Sequence, residues 1–219
     1  MIFSKFKNNN KGFSLIELLV VVSIFLIVTT ITLFKQSKFS SDILITNTAY
    51  EVALSIREAQ VLGVGSKQQS FENRKQAYGI YIPSSSIGQE NGEYLQYSES
   101  PEDDVYSFFY DSNDDRFNIL GGGIHLTRSQ KFRDFCVTNS SNERKCSGSG
   151  ELSALNIAFV KPNLDAKILA KDSSQNIYEY RSVEIVVESS LGDKCRTIDI
   201  NSVGQIAVRP VTPGTTGCE

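Results

Sequence analysis

Gly12-Phe13-Ser14-Leu15-Ile16-Glu17-Leu18-Leu19-Val20-Val21-Val22-Ser23-Ile24-Phe25-Leu26-Ile27-Val28-Thr29-Thr30-Ile31-Thr32-Leu33-Phe34 is an apolar run of helix length with a single acid, Glu17, near its start. About 22 residues rising about 1.5 Å each reach about 33 Å, enough to cross a bilayer core. A carboxylate inside such a segment costs on the order of 3 kcal/mol. Something must compensate for Glu17.

The residues before the run point to the partner. Met1 to Gly12 carry Lys5, Lys7 and Lys11 and no acid, so the positive-inside rule leaves this end in the cytoplasm and sends the chain beyond Phe34 outward. The expectation is a single-pass chain with an external C-terminal domain. An ordinary secretory signal has its cleavage site after the apolar region, whereas here the candidate bond, Gly12-Phe13, precedes it. A cut there removes the basic leader, keeps the helix and creates an α-amine on Phe13, one helical turn from Glu17 in the same chain or within reach from a neighbouring one. The alternative is local: Ser14-x-x-Glu17 also fits a capping box at the start of an uncut signal anchor.

Lys11-Gly12-Phe13-Ser14-Leu15-Ile16-Glu17-Leu18-Leu19-Val20 closely resembles the processing site of type IV prepilins and type II secretion pseudopilins. In that family a membrane aspartyl protease cuts after the glycine and methylates the new amine. The resemblance therefore implies that Gly12-Phe13 is the scissile bond, that Phe13 is the methylated residue, and that Glu17 is the assembly carboxylate, meeting the Phe13 amine of an adjacent subunit. Methylation keeps the positive charge, so the electrostatic argument for Glu17 is unchanged.

Composition bounds the rest. The chain has formal charge −3, and loss of the three leader lysines takes it to −6 before the new amine is counted. A mildly acidic external domain argues against non-specific nucleic-acid affinity as its main business, though a local basic patch is compatible with it. About 150 residues remain outside the helix, the size of one domain with its own core. Cys136, Cys146, Cys195 and Cys218 all fall in the external part, where an oxidising compartment permits disulfides. Proximity favours Cys136 with Cys146 and Cys195 with Cys218; zinc is the rival, without C-x-x-C spacing and with His125 alone.

Beyond Phe34 the pattern stays helical but turns amphipathic. Ile45, Ala49, Val52, Ile56, Ala59 and Gly63 recur at alternating four- and three-residue intervals. No proline interrupts Phe13 to Leu62, so one helix of about 50 residues and about 75 Å is expected, ending at Gly63-Val64-Gly65, its outer half packed on a sheet or forming a coiled-coil stalk. After Gly65 the pattern changes to period two, with strands expected at Ala77 to Ile82, Tyr94 to Tyr97, Val105 to Tyr110, Ile124 to Thr127, Phe135 to Thr138, Leu155 to Val160, Val183 to Glu188, Arg196 to Ile200 and Gln205 to Val208. The last three read as a meander. Helix first and antiparallel strands after it mean α+β.

Further stretches extend the resemblance. Thr48-Ala49-Tyr50-Glu51-Val52-Ala53-Leu54-Ser55-Ile56-Arg57-Glu58-Ala59-Gln60 is similar to the helix end of H-type (GspH/FimT-like) minor pseudopilins, and Arg196 to Val208 to their closing hairpin. Many major subunits have proline where Phe34 stands, so its absence leans toward a minor subunit. The middle, Phe71 to Lys171, resembles no family, and functional divergence is expected there.

No enzyme motif is legible: the chain lacks G-x-S-x-G, H-E-x-x-H and G-x-x-x-x-G-K-[ST]. Gly121-Gly122-Gly123 reads as a flexible turn and His125 as a strand residue. Asp111-Ser112-Asn113-Asp114-Asp115 puts oxygen side chains at alternating positions, so Asp111, Asn113 and Asp115 are calcium candidates, but Arg116 and Gly122 break the EF-hand pattern, and a solvated turn between Tyr110 and Phe117 is the simpler reading. Arg128-Ser129-Gln130-Lys131-Phe132-Arg133 is a short basic stretch in which Arg128, Lys131 and Arg133 could follow phosphates while Phe132 stacks on a base. The rival is a set of solvated strand-edge charges beside Asp134.

The sequence thus reads as an α+β, pilin-like chain: a basic leader over 1–12, a transmembrane helix over 13–34, its amphipathic continuation over 35–65, and an extracytoplasmic β-rich domain over 66–219. The expected role is structural rather than enzymatic, with no cofactor unless calcium binds. The resemblance implies as partners the prepilin peptidase and methyltransferase, other pilin or pseudopilin subunits, an inner-membrane assembly platform and membrane lipid, with DNA as the partner of an alternative uptake role.

Overall fold

The computed structural model describes residues 12–65, 76–103, 105–162 and 164–211, and of residues 34–39 the backbone alone. Lys5, Lys7, Lys11 and Cys218 lie outside the described residues.

Helix α1 runs Leu15–Gly65. Its first part, Leu15–Leu33, has a mean hydropathy of 2.6 and is long and apolar enough to cross a membrane; none of this stretch is buried within the chain. The hydroxyls in it are served internally. Ser23 donates to the Leu19 carbonyl at 2.8 Å, Thr30 to Leu26 at 2.6 Å and Thr32 to Val28 at 3.0 Å, the back-bonding that lets Ser and Thr sit in a helix surrounded by hydrocarbon.

From Ser41 onward α1 belongs to a second compact unit, 41–219. Here the alternating stripe is the buried face: Ile45, Ala49, Val52, Ile56 and Ala59 are all fully buried, which selects packing within this domain over a stalk. Eleven strands are described in that unit: β1 Ala77–Pro83, β2 Glu93–Glu99, β3 Phe117–His125, β4 Lys131–Thr138, β5 Arg144–Cys146, β6 Leu152–Phe159, β7 Lys167–Asp172, β8 Ile177–Tyr180, β9 Ser182–Glu188, β10 Cys195–Asn201 and β11 Ile206–Pro210. They form two antiparallel sheets, one ordered β3-β2-β1-β6-β7-β8 and the other β11-β10-β9-β4-β5. The α+β, pilin-like architecture is therefore present, with two sheets where the sequence led us to expect one. One core joins them to the helix, through Ile80, Ile157 and Ile168 from the first sheet and Phe135, Ile185 and Ile198 from the second.

The carboxyl-terminal meander forms as expected, β9-β10-β11, with Ile198 opposite Ile185 and Val208. Three strands were not foreseen, β5, β7 and β8; of the strand expected at Ile124 to Thr127 only Ile124 and His125 fall in β3, which starts at Phe117; and two further expectations fail. Residues Val105 to Tyr110 are not a strand: Phe108 has φ +56°, a left-handed value that a regular ladder does not accommodate at a non-glycine residue. Gly121-Gly122-Gly123 is not a turn but part of β3, where the register against β2 shifts between Leu95 and Tyr97 and Gly121 and Gly122 take φ of +75° and +84°. The extra residues of the bulge need the conformations that glycine supplies.

Candidate processing and assembly site

Gly12, Phe13 and Ser14 precede α1 in extended or irregular chain, and all three are exposed. Ser14 closes the helix start: its Oγ accepts the Glu17 N–H at 3.3 Å, and its carbonyl accepts the Leu18 N–H at 3.2 Å. That is one half of a capping box. The reciprocal half is absent among the described residues, because the Glu17 carboxylate makes no hydrogen bond or ion pair there. A Cβ built on Gly12 would meet nothing within 4 Å, and Phe13 is 80% exposed. The geometry leaves the Gly12-Phe13 peptide open to an enzyme and leaves Glu17 exposed on an otherwise apolar helix.

The other sequence candidates are placed as follows. Cys136 and Cys146 form a disulfide, facing each other across β4 and β5. Cys195 is buried at the start of β10 and is disulfide-bonded; Cys218, its expected partner, lies outside the described residues. Asp134, Cys136 and Cys146 bring a carboxylate oxygen and two sulfurs within 4.8 Å of one another, yet both sulfurs are committed to the disulfide. Asp134 is itself engaged, accepting from Ser147 Oγ at 2.5 Å and the Gly148 N–H at 2.8 Å.

The acidic segment is a closed turn. Asp111 Oδ1 accepts the Asn113 N–H at 2.9 Å, and Asp114 is held bidentately by Arg116 Nε and Nη2 at 2.6–3.0 Å. Hydrogen bonding to Arg116 pulls the Asp114 carboxyl below the usual range. Of the calcium candidates Asp111, Asn113 and Asp115, Asn113 turns its Nδ2 onto the same Asp111 oxygen at 3.3 Å, and Asp115 is exposed.

The basic stretch comes apart in the structure. Phe132 is fully buried and meets Tyr94 edge-on at 6.0 Å, so it cannot stack on a base. The reason is a bulge: the register of β4 against β9 shifts between Phe132 and Asp134, which lets both Phe132 and Phe135 point into the core although they are three residues apart. Arg133, on the bulge, pairs with Glu188 at 2.8 Å. Arg128 is exposed in the turn before β4 with φ +59°, and Lys131 is half-buried at the strand start. His125 ends β3, exposed, with Nδ1 3.4 Å from the Asn91 carbonyl.

Sequence reasoning missed two polar anchors. Gln60, fully internal on α1, donates from Nε2 to the carbonyls of Leu164 at 3.1 Å and Gly204 at 2.9 Å, fastening the helix to the β10–β11 turn. Asn156 donates from Nδ2 to the Phe108 carbonyl at 2.5 Å and the Tyr97 hydroxyl at 2.6 Å, and accepts the Tyr110 N–H at 3.3 Å. Beside it Glu99 accepts the N–H groups of Ser107 and Phe108 at 2.5 and 2.9 Å. A polar residue within an otherwise apolar strand pattern was the available signal for Asn156; Gln60, on the helix, had no comparable one.

No curated protein and no solved structure matches the chain. Residues 7–33 match the family model described as the prokaryotic N-terminal methylation motif. That prepilin-type motif, laid over the exposed Gly12-Phe13 bond and Glu17, supports membership of the type IV pilin and pseudopilin family.

Proposed function

We propose that this chain is a minor pilin or pseudopilin of H type, cut between Gly12 and Phe13 by prepilin peptidase and methylated on Phe13. Residues 13–34 then hold it in the inner membrane with the β-rich domain outside, until an assembly platform moves it into a pilus-like filament or a type II secretion pseudopilus. The observation that carries this reading is Glu17: exposed in an apolar helix, with no cation beside it among the described residues, inside a matched methylation motif. Its natural complement is the cationic amine of Phe13 on an adjacent subunit. A subunit docked out of register would bury that carboxylate unpaired, at a cost of several kcal/mol, so the pair selects register while apolar helix packing drives assembly.

Mass spectrometry of sheared surface filaments and of the membrane fraction tests it. The expected result is a methylated N-terminal Phe13, in filaments if the assembly is a pilus and in the membrane fraction alone if it is a pseudopilus. A Met1 terminus in every fraction overturns the proposal. A DNA-uptake role is the second reading; it requires salt-sensitive DNA binding by the purified chain that falls on substitution of Arg128 and Lys131, and it has lost Phe132 to the core and Arg133 to Glu188.

A further inference from the structure

The six-stranded sheet has a second face. Ile80 and Ile82 of β1 and Leu155 and Ile157 of β6 enter the shared core, so the residues alternating with them, Tyr81 and Asn156, point the other way. On that face Tyr97, Tyr110 and Phe117 meet with ring centroids 5.4–5.6 Å apart, and Tyr81 lies 5.2 Å from Tyr110. The connection between β2 and β3 folds down onto these rings. Glu99 and Asn156, both fully buried, grip its backbone at Ser107, Phe108 and Tyr110, and the aromatic Phe108 is held at φ +56°. A non-glycine residue kept in that region by surrounding bonds marks a conformation the fold over-determines.

This connection lines an open cavity of about 530 Å³ together with Lys171 of β7 and Ile177 of β8. The volume falls in the range of about 300–1,000 Å³ that holds small ligands. Its chemistry is balanced. Asp114 and Arg116 neutralise each other in a bidentate pair. Asp111 and Lys171 remain, one of each sign; Lys171 Nζ sits 5.8 Å from the Phe109 ring centroid, and neither is in an ion pair among the described residues. The hydroxyls of Ser112 and Tyr81 and the rings of Tyr81, Phe109 and Tyr110 complete the lining.

We propose that this cavity binds a neutral polyhydroxylated ring, a saccharide. An anion placed there meets Asp111, a cation meets Lys171, and an apolar molecule strips water from both charges at a desolvation cost. A sugar ring offers hydroxyls that donate to Asp111 and accept from Lys171, and an apolar C–H face that lies against tyrosine. The site is independent of processing at Gly12-Phe13, and its failure would leave that proposal untouched.

The test is saturation-transfer NMR on the full chain in a detergent without a sugar headgroup, with glucose, galactose, mannose, N-acetylglucosamine and lactose as probes and serine and inorganic phosphate as charged comparators. The nine tyrosines, in a chain without tryptophan, give a second readout by quenching of tyrosine fluorescence. At least one sugar is expected to bind, and Asp111→Ala and Lys171→Met are each expected to weaken it about ten-fold, as for loss of one charge-assisted hydrogen bond, without changing the melting transition. Asp111 is exposed and Lys171 half-buried, and neither belongs to the apolar core, so both variants are expected to fold. Silence from every sugar, sugar binding indifferent to both substitutions, or tighter binding of serine or phosphate than of any sugar would each overturn the proposal.

Discussion

Glu17 and Gly63 illustrate two kinds of constraint that a single residue can carry. The Glu17 carboxylate makes no bond among the described residues, so Glu17→Ala should leave the folded domain and membrane insertion intact. Removing the carboxylate also removes the proposed register contact, and the assembled fraction is expected to drop about ten-fold or more, the equivalent of one charge-assisted pair; fractionation into membrane and filament pools measures it, and undiminished incorporation would refute the role. Gly63 is constrained from inside. A Cβ there would lie 2.6 Å from the Phe159 carbonyl oxygen, and that oxygen belongs to a central strand that cannot withdraw. Gly63→Ala should therefore destabilise the domain by about 1–3 kcal/mol, read as a lowered urea midpoint with cleavage at Gly12-Phe13 unchanged. The first of these residues was legible in the sequence because a lone acid in a membrane-length run is anomalous by itself. Gly63 was legible only as the last position of a stripe, and its tight contact with β6 was not, because Phe159 is far away in the chain.

Elements were read well where their pattern was local and poorly where tertiary contacts set it. The buried stripe of α1 and the β9-β10-β11 meander follow from periodicity and turn residues alone. Strands β7 and β8 escaped because Lys167-Ile168-Leu169-Ala170-Lys171 and Ile177-Tyr178-Glu179-Tyr180 show little alternation, and pairing of β7 with β6 and of β8 with β7 is what makes them strands. Val105-Tyr106-Ser107-Phe108-Phe109-Tyr110 failed in the opposite sense: its aromatic content suits a strand, but Glu99 and Asn156 take up its backbone groups instead. The short strand β5 depends on its cross-link. Cys136 and Cys146 close a loop of sequence separation 10, for which the chain-entropy relation gives about 2–3 kcal/mol. The double variant Cys136→Ser, Cys146→Ser is expected to lose that amount in chemical denaturation, with early loss of amide protection in Lys145 and Val137, which face each other in the hairpin. Equal protection in both proteins would show that β5 is held by its hydrogen bonds alone.

At the scale of the whole domain, stability is coupled to pH through groups from distant parts of the chain. Burial pushes the Glu99 carboxyl up from its ordinary value; the N–H groups of Ser107 and Phe108 and the charge of Arg116 oppose the shift, and Asp114 adds to it. Well below the ordinary glutamate range both folded and unfolded states hold the proton, and Glu99 adds no pH dependence. As pH rises the unfolded chain releases its proton first. Until the folded Glu99 follows, the folded state binds more protons, so stability falls with rising pH across that window. Asp193 works in the opposite direction: the hydroxyl of Ser189, and then that of Ser41, hold its carboxyl low, so its contribution is present above the ordinary aspartate value and lost as pH falls through the lowered one. The two windows separate on the pH axis, Glu99 acting above the ordinary carboxylate range and Asp193 below it. Glu99→Gln should therefore flatten the decline of the urea midpoint above the ordinary glutamate range while leaving the acid limb in place. Glutamine has one carbonyl oxygen for two N–H donors, so a constant loss of stability is expected as well; the discriminating quantity is the slope. A variant that keeps the wild-type slope would mean that another group carries the titration, whereas a flattened one ties the aromatic face of the six-stranded sheet, and the connection it anchors, to the cooperative unfolding of the domain.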